Sequence, residues 1–450
     1  MKVDRLKLQA AAATCALLAA ACGSSSKSAG SSSTSSAKVP KTVASASGPF
    51  SWKRYSGQSI TVLAETQPWT SAIQPMTSAF EKLTGIHVNW EVYTEEQRRQ
   101  LAIIQLQSHR PSFDVYMNLK SFSASQYSQA GWYENLYPFV HSTSLTSSTY
   151  NISDFLKAPI NSQIIGGSLD GVPTNVEGPV LFYRSDLFKQ YGLTPPTSLS
   201  EVDTDAKLIE ERSNHTIVGL TSRGLPLAVA YTFGTYLHND GGHWSKLDSA
   251  AGVEALTQYA DTLKNYGPSG VVNYNFLQSS TLFAQGKAAM EFDSSNELSD
   301  IVSHATSTVK NNLAVEEFPA GSGGDHPTVL SWSLAMSPFS THKGPAWLFM
   351  QWASSPSIQT QLALQGIASP RSSTASSTAY KATLTGSRVS WAAALEKTLA
   401  QGNPNVGPAI SQQTQARQDI GLMVDKVILG QASPKQAAAT ATSQLAALGG

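Results

Sequence analysis

Three carboxylates stand where this chain of 450 residues could do chemistry. Glu65 follows the apolar run 59–64 (SITVLA), Glu177 falls where the backbone turns into the run 180–182 (VLF), and Asp293 ends the run 288–292 (AAMEF). In open α/β sheets, ligand-facing groups gather beyond the carboxyl ends of strands, so an acid there can face a cleft rather than a core. Two chemistries are open to such groups. A pair of carboxylates about 5–10 Å apart across a glycosidic bond can hydrolyse it. Carboxylates faced by aromatic rings can instead hold a polyhydroxylated molecule, the acids accepting from hydroxyls and the rings stacking on C–H surfaces. Gln67 and Trp69 follow Glu65 in a Pro-containing loop, where Trp69 is either such a platform or a ring packed on its neighbours.

Other reactive arrangements are missing from the sequence. The nine histidines show neither H-x-x-H nor H-E-x-x-H spacing, and there is no G-x-S-x-G, P-loop or G-x-G-x-x-G pattern. No metal, cofactor, nucleophile or phosphate loop is expected. Hydrophobic residues make up 41% and charged residues 14%, with formal net charge 0. Setting aside three basic and one acidic residue of the N-terminal segment leaves −2, which points away from nucleic acid and from an anionic membrane face as partners.

The N-terminal segment reads as an export signal. Lys2, Arg5 and Lys7, with Asp4 among them, precede an Ala/Leu-rich run too short to span a bilayer. That run ends LLAAAC at Cys22 and is similar to a bacterial lipobox, with Ala19 where Leu is usual and Leu18 one place earlier. Residues 1–21 are thus expected to be a lipoprotein signal peptide and Cys22 the lipidated N-terminus. Cys15 is the one other cysteine and leaves with the signal, so the mature chain has no intramolecular disulfide. Residues 22–55 form a Ser-rich tether, in which about 30 flexible residues would reach roughly 30 Å. The expected place is the extracellular face of a bacterial membrane, held by lipid alone.

The elements that must position the carboxylates alternate. Strands are expected at 59–64, 87–92 and 113–117, with helices at 72–83 and 95–107 between them, a βαβαβ order that argues for a mostly parallel α/β sheet. Further strands fall at 288–292, 314–318 and 329–336. Helical patterns fall at 253–266, 279–285, 345–353, 358–364, 389–401 and 412–429. Trp347 and Trp352 lie on one helix and read as core. Trp90 and Trp132 read as packing.

The segment DGVPTNVEGPVLFYRSDLF at 170–188 reads as an irregular stretch punctuated by Gly171 and Pro173, then an apolar strand at 180–182, then a helix beginning at Asp186 with Ser185 as its cap. It resembles the crossover between lobes in the family 1 extracellular solute-binding proteins, the maltose-binding-protein-like sugar receptors of ABC importers. Six further motifs follow that family's order: EKLTGIHVN at 81–89, QAGWYENL at 129–136, FAQGKAAMEFD at 283–293, SWSLA at 331–335, AWLFMQWA at 346–353, and Pro370-Arg371. Together the resemblance covers about residues 58–430.

What the resemblance implies is a two-lobed periplasmic-binding-protein type II fold with three crossings, near 173–180, 329–335 and 399–408, and a ligand cleft between the lobes. Residues 56–176 plus 335–400 would form the first lobe, and 177–334 plus 401–450 the second. Carried over to this sequence, Glu177 matches a ligand-contacting Glu, Asp293 a hydroxyl acceptor, Trp332 a stacking ring and Arg371 a ligand-reaching Arg. Asn118 and Lys120 lie where polar sugar contacts are common, and Tyr236 and Trp244 flank a turn at Asp240-Gly241-Gly242. The implied function is capture of a monosaccharide, oligosaccharide or alditol by a monomeric receptor. Hinge closure would then deliver it to an ABC permease with a cytoplasmic ATPase. Against this stand a secreted lipoprotein glycosidase using Glu65, Glu177 or Asp293, a receptor for glycerol phosphate or another non-sugar solute, and a receptor that feeds a sensor kinase.

Overall fold

The computed structural model describes residues 48–449; the expected signal and Cys22 lie outside them. The expected tether ends earlier than 55. Phe50, Trp52 and Tyr55 already pack on the first lobe, Phe50 and Trp52 edge to face at 5.1 Å, because three aromatics in six residues bury more readily than they stay solvated.

Eleven strands are present among the described residues: β1 (Ser59–Glu65), β2 (His87–Tyr93), β3 (Val115–Leu119), β4 (Ile164–Ile165), β5 (Ser168–Leu169), β6 (Val172–Glu177), β7 (Pro179–Arg184), β8 (Val218–Thr221), β9 (Ala288–Ser294), β10 (Leu313–Glu317) and β11 (Leu330–Met336). One sheet runs β2-β1-β3-β11-β6 and a second runs β10-β7-β9-β8, with β4 and β5 a small hairpin. The first three strands pair in parallel, as the βαβαβ order requires, and β11 enters antiparallel between β3 and β6. Each sheet anchors one lobe.

Local chemistry explains the element ends. Thr94 and Gln97 form a capping box that starts the helix Glu95–Gln107 where the sequence places it, and Gly85, at φ 72°, ends the helix Thr77–Thr84. The third strand is shifted from 113–117 to 115–119. Asp114 turns its carboxylate back to the Thr61 amide (2.9 Å), while pairing with β11 carries the strand through to Leu119. Four longer helices (Lys120–Gln129, Leu199–Arg212, Ala230–Asn239 and Pro434–Ala447), several short ones including Glu297–Ser303, the β4–β5 hairpin, β6 and the four-residue β8 were not expected. Tyr231 to Asn239 are buried all round and lack an amphipathic stripe, and β8 is too short to show a period.

The chain passes between the lobes after β6, between β10 and β11, and repeatedly over the segment that follows residue 363. β6 becomes β7 across Gly178 alone, where a Cβ would stand 2.4 Å from the Thr398 methyl; only a bare backbone fits this crossing. β10 passes to β11 for the second. The third differs from expectation: the helix Ser387–Gln401 packs on β7 and β10, so Trp391 and Leu395 belong to the second lobe. Val406 then returns to the first-lobe core before the helix Gln413–Ile428 joins the second. The first lobe buries Trp69, Phe80, Trp347 and Phe349 around its sheet. The second carries separate cores on the two faces of its sheet.

Candidate functional site

The cleft forms where the crossing strands present alternate faces. Glu177 at the end of β6, and Leu330 and Trp332 on β11, point into it. Val176 and Ser331, one residue away on each strand, line a separate cavity of about 370 Å³ behind the hinge, with Val329, Leu399 and Pro404. The front cleft is narrow. Its free volume is about 30 Å³, and both lobes wall it: Glu65, Gln67, Glu95 and Phe122 from the first, Arg223, Tyr231, Phe276, Glu297 and Arg417 from the second.

Trp332 and Glu177 form its centre. The indole Nε1 donates to Glu177 Oε1 at 2.5 Å, and Oε2 accepts from the Ser294 hydroxyl and from Asn296 Nδ2. Burial raises the Glu177 carboxyl above its ordinary range, and the hydrogen bonds from Ser294 and Trp332 work against that rise. Glu65 takes two donors from Arg98, Nε at 3.1 Å and Nη2 at 3.0 Å, both on Oε2. Burial outweighs that guanidinium and lifts Glu65 to about 7.

Across from them, Arg223 stacks on Tyr231 (4.7 Å) and Phe276 (5.3 Å). Asp293 does not reach the cleft. It is fully buried, and Arg223 stands between, donating from Nε to both carboxylate oxygens (3.0 and 3.1 Å) and from Nη2 to Oδ1 at 2.6 Å. Asp293 thus orients the cation that lines the wall. Arg417, on the helix Gln413–Ile428, crosses to Glu95 at 3.0 Å, stacks on Phe122 at 4.1 Å and donates to the Leu227 carbonyl. Burial would raise Glu95, yet Arg417 and Arg99 together hold it down at about 2.

The remaining expected residues lie elsewhere. Trp69 is fully buried in the first-lobe core, 6.5 Å from Trp90, because it opens a helix whose inner side it occupies; Gln67 and Pro68 reach the cleft in its place. Asn118 is a strand residue, fully buried, with its amide on Tyr133 and its carbonyl on Ser123. Lys120 pairs with Asp170 at 3.1 Å, lies over Tyr133 and edges the rear cavity. Tyr236 is second-lobe core, ringed by Tyr259, Phe292 and Phe318, and Trp244 packs on Phe233 with its Nε1 on the Asn405 carbonyl at 2.7 Å. Arg371 is 1% exposed and bound to the Ser354 and Asn151 carbonyls and Asp154, far into the first lobe.

Glu95, Phe122, Arg223, Tyr231, Phe276, Glu297 and Arg417 were not singled out from the sequence. One signal was available. Arg223 follows β8 directly, so the rule of looking beyond strand ends finds it once that strand is assigned. Among the described residues no cluster of His, Cys, Asp and Glu fits a metal ion, and no helix is long and apolar enough to cross a membrane.

Comparison with known proteins gives four findings. The family model described as bacterial extracellular solute-binding protein matches residues 64–360. The chain is 26% identical over 343 residues to the erythritol/L-threitol-binding protein of Mycolicibacterium smegmatis, covering 70% of each chain. It is 27% identical over 306 residues to the mannitol-binding protein of Pseudomonas aeruginosa, covering 63% of this chain and 66% of that one, just under two thirds. In fold it resembles a solute-binding protein of Agrobacterium radiobacter K84 in complex with ribitol, with TM-score 0.79 and 23% identity over 86% of this chain and 98% of the other.

Proposed function

The chain belongs to the bacterial extracellular solute-binding proteins, and from that premise we propose that it captures a carbohydrate or alditol between its lobes for delivery to an ABC permease. One observation carries the reading: aromatic rings and hydrogen-bonding acids from both lobes converge on the Trp332–Glu177 pair at the crossings. Ligand contacts with both lobes favour the closed form, which is the form a permease can distinguish from an empty receptor. The chain acts as a receptor and not as a glycosidase. Asp293 gives both carboxylate oxygens to Arg223 and stands behind it, and Glu65 is tied to Arg98. The relatives that bind erythritol, L-threitol and mannitol favour an alditol among the carbohydrates. The same proposal has it work outside the cell as a monomer held by a lipid on Cys22, a reading supported by the LLAAAC run that ends at Cys22.

The test is a thermal-shift panel of sugars, alditols and glycerol phosphates. A rise of several degrees with one carbohydrate, recovered unchanged, supports the reading. Cleavage of the sugar would restore the glycosidase, and a shift with glycerol phosphate alone would name another solute. Mass spectrometry of the mature N-terminus tests the lipid on Cys22.

A further inference from the structure

Every cation at the narrow cleft already has its anion. Arg223 holds Asp293 and Arg417 holds Glu95; behind the wall, Arg98 holds Glu65 and Arg99 also holds Glu95. Glu177 is satisfied by neutral donors from Trp332, Ser294 and Asn296. Glu297 is the exception. It is 2% exposed, lines the cleft, and leaves its Oε2 buried without a hydrogen-bond partner. The Tyr231 hydroxyl, also at the cleft wall, has only a loose approach to Ser294 and no well-formed hydrogen bond. Other buried polar atoms among the described residues also lack a partner, but three of them, on Glu297, Tyr231 and Arg417 (Nε), gather on the second-lobe wall of this cleft. Arg417 still has Glu95 and the Leu227 carbonyl, which leaves Glu297 and Tyr231 as the groups a ligand would complete.

We propose that Glu297 and Tyr231 are the second-lobe contacts for two hydroxyls of a short, uncharged polyol, with Glu297 meeting its hydroxyl as a neutral carboxylic acid. This rests on the reading of the cleft as a carbohydrate or alditol site. Geometry argues for the neutral form: Glu297 has no ion pair among the described residues, and Arg223, the one cation acting on it, is already committed to Asp293. The charged groups facing Glu297 are Asp293 and Glu291 on β9, Asp300 on its own helix, and Arg223 beyond β8; three of these four are acids. Burial first, then those three carboxyls, push its proton affinity well above the usual carboxylate range. A protonated acid offers one donor and one acceptor, which is what an alcohol presents in return. The size follows from closure. A free volume of about 30 Å³ is room for two or so waters, so a ligand enters only as the lobes move apart, and a small one asks the least movement. An anionic ligand would meet no free cation and several acids.

The experiment is isothermal titration of the protein and three variants, Glu297→Gln, Glu297→Ala and Tyr231→Phe, with erythritol, ribitol and mannitol. The tightest binder is then replaced by its monodeoxy analogues and by its aldonate. The Gln side chain keeps one donor and one acceptor, so Glu297→Gln should hold affinity within about threefold, while Glu297→Ala and Tyr231→Phe lose about 10- to 100-fold. One deoxy analogue should bind weakly to the parent and lose nothing further in Glu297→Ala, the signature of a shared contact. The aldonate should bind at least about 100-fold more weakly than the alditol. Equal losses in Gln and Ala would overturn the neutral acid, and additive losses with every deoxy analogue would overturn the contact. If one variant fails to fold, the others decide. Binding of none of these polyols, nor of any sugar, by the parent protein overturns the reading of the cleft itself, a different result from binding that ignores the variants.

Discussion

A guanidinium buried as deeply as that of Arg371 keeps its place only while its partners hold it. Its Nε meets the Ser354 carbonyl at 2.5 Å, Nη1 meets Asn151 at 2.9 Å and Asp154 at 3.3 Å, and Phe155 lies under it at 3.9 Å. Arg371→Ala therefore should cost stability, about 3–5 kcal/mol in urea unfolding, because Asp154 and the carbonyls are left uncompensated. Ligand affinity should stay within about twofold, since no part of the cleft is touched; a large loss of affinity in a stably folded variant would return Arg371 to the site. This residue shows what position in a sequence can carry. That a residue follows a strand, or fits a family motif, places its backbone near the cleft. Which way its side chain turns depends on neighbours distant in sequence. Glu65, Glu177 and Trp332 reach the cleft; Trp69 turns inward to Trp90, and Asp293 is intercepted by Arg223, 70 residues earlier.

At the level of elements, two helices from opposite lobes lock across the cleft. Glu95 opens the helix Glu95–Gln107, Arg417 lies on the helix Gln413–Ile428, and Phe122 packs beneath the guanidiniums of Arg417 and Arg99. Glu95→Gln should remove the charge pair, leave Arg417 without its partner in the closed form and favour the open one. Small-angle scattering of the ligand-free variant is expected to show a larger radius of gyration, and ligand affinity should fall about tenfold. An unchanged radius and affinity would mean that closure does not depend on this pair. Most elements were legible because their periods and caps are local: the box at Thr94 and Gln97, and the Thr84-Gly85 stop. The lobe to which the helix Ser387–Gln401 belongs was not legible. Its partners on β7 and β10 lie some 70 to 220 residues earlier, and nothing in its own pattern names them.

The whole molecule keeps more acid buried than its arginines neutralise. Burial first of all pushes Glu65 and Asp425 up to about 7 and Asp205 and Asp300 to about 6, and raises Glu291 and Glu297 well above the ordinary carboxylate range. A carboxyl raised in the fold contributes its stability fully below its unfolded value and loses it as pH rises through the folded one. Glu95, held at about 2, works in reverse: its contribution is present above its unfolded value and lost as pH falls toward 2. The melting temperature should peak at about pH 5 and decline toward pH 8, with the decline shallower in Glu297→Gln. A profile that rises from pH 5 to 8 would contradict this balance.

The cavity behind the hinge has a consequence of a different kind. Val329, Leu399 and Pro404 line it, yet none of them touches the front cleft. The strands that carry Val176 and Ser331 toward this cavity carry Glu177 and Trp332 toward the ligand, so any closure in front spreads the walls behind. A bulkier side chain at the back, as in Leu399→Trp, is therefore expected to shift the lobes toward closure and tighten binding of the same ligand; an unchanged affinity would separate this cavity from closure. Leu330 belongs to both walls, but Val329, Leu399 and Pro404 can then tune how tightly the protein grips while the cleft residues set what it recognises. A lineage facing scarce nutrient can sharpen its scavenging by drift at the back of the hinge, while the chemistry that chooses the nutrient stays as it was.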